Sequence, residues 1–144
     1  MTKRKKTLED KIRYRIKRSS YSTFVLSDFY DLSDRDQILR ALRKLIKKKL
    51  ILRVGQGVYV RTKISSVTKK IIPEQNIRDI AIVALKKSGI DVVPTPYEQE
   101  YNDGKTTQVP TGIVIGVNRR VNKKIGFNGR FVKYEKVTPN QKHR

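Results

Sequence analysis

From Ser33 to Arg61 the chain reads SDRDQILRALRKLIKKKLILRVGQGVYVR, and few folds accept such a run. Ile38, Leu42 and Leu45 recur at helical spacing, with Leu39, Ala41 and Ile46 beside them, so one stripe demands burial. Gln37, Arg40, Arg43, Lys44, Lys47 and Lys48 fall on the opposite side. Ser33 with Asp36 three residues on has the spacing of a capping box, which predicts a helix over 34–48. Ile51 to Val54 then alternates as a strand, Gly55-Gln56-Gly57 supplies a turn, and Val58 to Arg61 returns. A helix that turns Arg, Gln and Lys outward beside a Gly-tipped basic hairpin has the form of an element that meets a duplex.

The residues before it complete a familiar order. Thr7 and Asp10 have capping-box spacing, and Leu8, Ile12 and Ile16 give a helix over 7–18 one apolar face. Its other faces carry Lys11, Arg13, Arg15, Lys17 and Arg18. Thr23 to Leu26 is β-branched and aromatic, the pattern of a short strand. Ser27 is expected to cap a brief helix over 28–32 whose Phe29 and Leu32 pack on the 34–48 helix. Helix, short turn, helix and hairpin is the order of a winged helix-turn-helix. Asp28, Asp31, Asp34 and Asp36 would repel phosphates, and are read as complements to helix N-termini, with Asp36 a cap.

Charge names the class of partner. The 144 residues carry a formal net charge of +21, which selects a polyanion and an affinity that falls with salt. Residues 1–66 hold nineteen Lys/Arg against six Asp/Glu, and residues 67–144 hold fifteen against seven, so the first half is the expected reader. There is no cysteine, which excludes thiolate metal sites and Cys nucleophiles. The lone histidine, His143, stands in the terminal tail and excludes His-based catalysis. No apolar run has the ~18 residues of a spanning helix, and no signal-peptide pattern precedes the basic arm Met1–Lys6. A reducing bacterial cytoplasm, on the nucleoid, is the expected location, with no membrane partner and no cofactor.

The second half reads as helix plus sheet. Thr62 to Ile72 is polar and aperiodic, a linker running into Pro73. Ile77, Ile80, Ala81, Ala84 and Leu85 make a helical stripe stopped at Gly89, and Ile90 to Val93 a strand. Residues 94–110 are a polar loop. Strands are expected over 111–118, 124–127 and 130–137, the last two joined by Asn128-Gly129. The fold class is therefore α+β. A winged helix-turn-helix domain (1–62) and a linker (63–73) precede a small helix-plus-antiparallel-sheet domain (74–137) and a tail (138–144).

Roles follow from docking geometry. The N-terminal half of a recognition helix reaches base edges, which assigns base reading to Ser33, Arg35, Gln37 and Arg40. Lys44, Lys47 and Lys48 lie further along and go to phosphates, as do Arg13 and Lys17; Arg53, Gln56 and Tyr59 belong to the wing. Two other readings compete. A small basic protein binding RNA or the ribosome fits the charge, although A-form major grooves do not admit a helix. A metal-dependent nuclease would use Asp91, Glu98, Glu100 and Asp103 with Lys105, at a spacing that matches no strict motif.

The run Phe24-Val25-Leu26-Ser27-Asp28-Phe29, through Ile38-Leu39-Arg40-Ala41-Leu42, to Arg53-Val54-Gly55-Gln56-Gly57-Val58-Tyr59 resembles the winged-helix domain of AbiEi-type antitoxins. The likeness is best over roughly the first 60 residues, and the region after Ile72 is similar to the short C-terminal domain of compact members of that family. It implies a transcriptional regulator of a type IV toxin–antitoxin pair, an autorepressor on its own operator. The partners it implies are double-stranded DNA, a cognate nucleotidyltransferase-like toxin, and a second copy of the chain on the DNA. Larger members have a longer C-terminal domain, so no toxin-facing residue is carried over.

Overall fold

In the computed structural model, which describes residues 5–96, 98, 99, 103, 104 and 113–137, helix α1 (Leu8–Arg18) starts at Thr7 through a reciprocal pair of bonds. The Thr7 hydroxyl accepts from the Asp10 N–H at 3.1 Å, and the Asp10 carboxylate accepts from the Thr7 N–H at 3.1 Å. Ile12 and Ile16 face inward. At the other end the helix leaves carbonyls without partners and a partial negative charge. Arg61, from a distant strand, supplies both remedies: its guanidinium donates to the carbonyls of Ile16 (3.0 Å) and Ser19 (2.8 Å) and pairs with Glu74 at 3.2 Å.

Strand β1 (Thr23–Val25) runs into a 3₁₀ turn, Leu26–Phe29, where an α-helix over 28–32 capped by Ser27 was expected. Two contacts explain the shortening. The Asp28 carboxylate turns back to accept from the Val25 N–H at 2.9 Å. The Asp28 carbonyl, which a helix would offer to Leu32, is taken by Arg15 at 2.8 Å, while the Leu32 N–H goes to Phe29. Arg15 also grips Asp31 through both guanidinium ends, at 2.6 and 2.8 Å, and so ties α1 to the turn.

Helix α2 (Arg35–Lys47) follows. Its cap is Asp34, whose carboxylate accepts from the Gln37 N–H at 2.9 Å; the Ser33–Asp36 box is off by one residue, and Asp36 stands in the first turn. Beginning at Arg35 places Ile38, Ala41, Leu42 and Leu45 in the core. The helix stops in a Schellman motif, Leu50 N–H to Leu45 O and Lys49 N–H to Ile46 O, with Lys49 at φ +63° where glycine is the usual occupant.

β2 (Ile51–Gly55) and β3 (Val58–Ile64) form an antiparallel hairpin through Gln56-Gly57. Of the glycines at its tip only Gly57 has a positive φ, +70°; Gly55 is the last residue of β2. β1 pairs with the first half of β3, Thr23 opposite Val60. The core gathers Ile12, Ile16, Phe24, Phe29, Ile38, Leu42, Leu45, Ile51 and Tyr59 between the two helices and this sheet.

Residues 63–73 are not a linker. β3 extends to Ile64, and β4 (Ile71–Pro73) pairs with it, Thr62 opposite Pro73 and Ile64 opposite Ile71. The pairing serves backbone groups that aperiodic side chains do not advertise. The chain divides into two units at Asn76/Ile77, later than the boundary expected from composition.

In the second unit α3 (Ile77–Lys87) buries Ile80, Ala81, Ala84 and Leu85 and ends, as read, at Gly89. β5 (Val92–Val93) pairs antiparallel with β6 (Val114–Val117), while β6 and β9 (Lys133–Lys136) run parallel. The sheet is thus mixed, with one parallel pairing where a mostly antiparallel sheet is expected from sequence. The chain from β6 to β9 passes through the hairpin of β7 (Gly126–Phe127) and β8 (Arg130–Phe131), a crossover that leaves β9 parallel to β6. Asn128 and Gly129 both adopt the positive φ that their two-residue turn requires. At Gly116 a side chain has no room, since a Cβ would lie 2.2 Å from the Val93 carbonyl oxygen. Residues 1–4, Glu100, Lys105 and the tail 138–144 with His143 lie outside the described residues.

Two predictions test this frame. Arg61→Met leaves the α1 carbonyls without their charged donor and should lower unfolding stability in urea by about 2–3 kcal/mol; a change under about 0.5 kcal/mol, the size of an ordinary surface substitution, contradicts the role. The Arg15 guanidinium holds the Asp31 carboxyl below its ordinary range. A depressed carboxylate contributes stability that is present above the unfolded value and lost as pH falls through the folded one. The melting temperature of Asp31→Asn should therefore fall less steeply than wild type below about pH 4, and parallel curves would contradict the pairing.

Candidate nucleic-acid interface

Rotation of α2 is set by its buried stripe, and the consequence is a basic outer face. Arg35, Gln37, Arg40, Arg43, Lys44 and Lys47 are all exposed. The face divides along the helix. Gln37, Arg40, Arg43 and Lys44 line one side of a recess of about 430 Å³, with Thr7, Leu8 and Glu9 from the start of α1 on the other. On the β2–β3 hairpin the positive charge of Arg53, and after it that of Arg43 and Arg35, acts on the Tyr59 hydroxyl.

Tyr59 is the hinge of this arrangement. It stands directly across the ladder from Arg53 on one side and Phe24 on the other. Placed in the wing from sequence, where a core-facing aromatic is the commoner case than a contact, it is 3% exposed and part of the core, which removes it as a phosphate contact. Burial pushes its phenol up, while the positive charge of Arg53, then Arg43 and Arg35, works the other way. Arg53 and Gln56 are exposed on the hairpin as expected.

Four other assigned residues lie elsewhere or are engaged. Ser33 is half-buried and precedes the Asp34 cap, so it is not on the helix. Lys48 is paired with Glu9, which makes it a brace between the helices. Arg13 and Lys17 share a separate cavity of about 220 Å³ with Leu45, Leu50, Ile51 and Arg61. Arg43 has no role in the sequence assignment, yet it lines the recess with Arg40 and Lys44, and its charge acts on Tyr59. Its signal was present, because it sits at i+3 from Arg40 on the side opposite the stripe.

Of the carboxylates weighed for a nuclease, Asp91, Glu98 and Asp103 are used locally, and Glu100 lies outside the described residues. Glu98 pairs with Arg78 and accepts from the Thr95 N–H at 3.0 Å. Asp91 accepts from the Asn118 amide at 3.1 Å, and Asp103 from the Gln99 amide at 2.8 Å. Among the described residues no three His, Cys, Asp or Glu side chains converge as metal ligands, and no helix is long and apolar enough to cross a membrane.

Comparison with known proteins adds one match. The sequence profile DUF6088, described as a family of unknown function, matches residues 7–143, and so spans both units. No curated protein matches the chain.

The buried phenol of Tyr59 supplies a test. In a tyrosine titration followed by ring-carbon chemical shifts, Tyr59 should ionise above the ordinary value near 10. Arg53→Gln should push it higher still. A Tyr59 that is unmoved by the loss of Arg53 would remove the cation from its neighbourhood.

Proposed function

The chain belongs to this family of unknown function, DUF6088, and we propose that it is a sequence-specific double-stranded DNA-binding regulator of the winged helix-turn-helix kind. α2 lies in the major groove, with Arg35, Gln37 and Arg40 at base edges and Arg43, Lys44 and Lys47 on phosphates. The β2–β3 hairpin, with Arg53 and Gln56, is the wing. The observation that carries this reading is the exposed basic face of α2, followed directly by a hairpin that exposes Arg53 and Gln56. An RNA-binding role would share the charge but not the helix, which an A-form major groove does not admit. The setting we propose is autoregulation of an antitoxin operon, and it rests on the resemblance of residues 24–59 alone. A promoter fusion repressed by the protein in trans, next to a nucleotidyltransferase-like reading frame, supports that setting; a fusion indifferent to the protein removes it.

Duplexes selected from a random pool supply the direct test. Arg40→Ala should weaken the preferred sequence by 1–3 kcal/mol, about 5- to 150-fold, and relax its base preference. Lys47→Ala should weaken all duplexes alike and reduce the salt slope by about 1. Equal affinity for every duplex at about 150 mM salt, or tighter binding of structured RNA under the same conditions, overturns the proposal.

A further inference from the structure

The stretch that composition marks as a linker is an ordered, cationic hairpin. Its tip is held by a closed set of bonds: Ser65 N–H to Lys70 O and Lys69 N–H to Ser65 O, both 2.9 Å. The Ser65 hydroxyl accepts from the N–H groups of Val67 and Thr68, and the Thr68 hydroxyl from that of Lys70. Lys69 takes a left-handed conformation at φ +63° to close it.

What this scaffold presents is charge and one apolar apex. Lys63, Lys69 and Lys70 are exposed, and no carboxylate occurs between Arg61 and Glu74. Ile64 is 69% exposed and Val67 87%, so neither contributes to the core. Rigid backbone that holds cations around an exposed apolar tip serves a surface outside the protein, and the charge requires that surface to be anionic.

Its position says which surface. β3 carries both hairpins, the β2 turn at its Val58 end and the β4 turn at its Ile64 end. Six residue steps of ~3.3 Å put the two ends ~20 Å apart. Along a duplex rising 3.4 Å per base pair, that is about six base pairs. A duplex laid along β3 would reach this arm beyond the segment that α2 reads.

We propose that the β3–β4 hairpin is a second duplex-contacting arm, with Lys63, Lys69 and Lys70 on flanking phosphates and Val67 directed into the minor groove. Apolar side chains framed by cations suit that groove, whose floor rewards shape more than hydrogen bonding. The inference rests on the DNA-binding reading and extends it to flanking sequence, where the arm adds affinity without base discrimination.

The test uses the full chain and a nested set of duplexes, from the preferred site alone to the site extended by ~10 base pairs on each side, about one helical turn. The triple variant K63A/K69A/K70A should keep the wild-type melting temperature and bind the short duplex as wild type does. On the extended duplex it should lose tenfold or more in affinity, with the salt slope reduced by about 2–3. Val67→Ser should show part of the same length-dependent loss. No loss on the long duplex overturns the arm, and so does an equal loss on short and long, which would mark only the general field of a basic protein. Equal competition by poly-glutamate would make it a site for acidic polymers and also overturn it. If Arg40→Ala loses binding while the triple variant does not, the arm fails and the regulator stands. If wild type binds no duplex, the regulator fails first.

Discussion

Ile38, Leu42 and Leu45 of α2 are fully buried against a core that includes Ile12 and Ile16 of α1, and each such side chain contributes on the order of 1.5–3 kcal/mol. Exposed charges repel one another by far less, since pairs on the surface are worth under about 1 kcal/mol and are screened. Burial therefore decides how α2 is rotated, and the cations accept the positions left to them. Asp34 fixes where the helix begins and the Schellman turn at Lys49 where it ends, so both rotation and length are determined locally.

The same hierarchy explains why the surface stays basic. Residues 1–76 contain seven carboxylates, and six of them are engaged inside the unit: Glu9 with Lys48, Asp10 with the Thr7 amide, Asp28 with the Val25 amide, Asp31 with Arg15, Asp34 with the Gln37 amide, and Glu74 with Arg61. Most of these meet backbone donors or brace one element against another. Little negative charge is left to neutralise Arg35, Arg40, Arg43, Lys44 and Lys47 on the exposed face of α2. The acids are spent on the frame, and the bases face outward.

How much of this was legible follows from what each feature depends on. Periodicity dictates α1, α2 and α3, and the Asn128-Gly129 turn dictates its hairpin, so these read directly. Contacts between distant residues do not announce themselves. Arg61 looks like one more cation on a basic strand until the end of α1 arrives beside it, and Lys48 looks free until Glu9 does. Residues 63–73 pair through backbone groups, which side-chain composition cannot signal. The parallel pairing of β6 and β9 is a matter of topology, and the span between them allowed either direction. On the candidate site the exposed helical residues were legible, and Tyr59 faces the core, as an aromatic on such a strand more often does, across the ladder from Phe24.

If α2 and its hairpin form one surface for a duplex, backbone amide chemical-shift mapping on titration with a selected duplex at about 150 mM salt is the most direct measurement. Shifts should concentrate between Arg35 and Lys47 and between Arg53 and Gly57, while Ile12, Ile16 and the other buried positions of α1 move little. Shifts confined to the unit after Asn76, or a pattern around α1 that spares α2, would contradict the account.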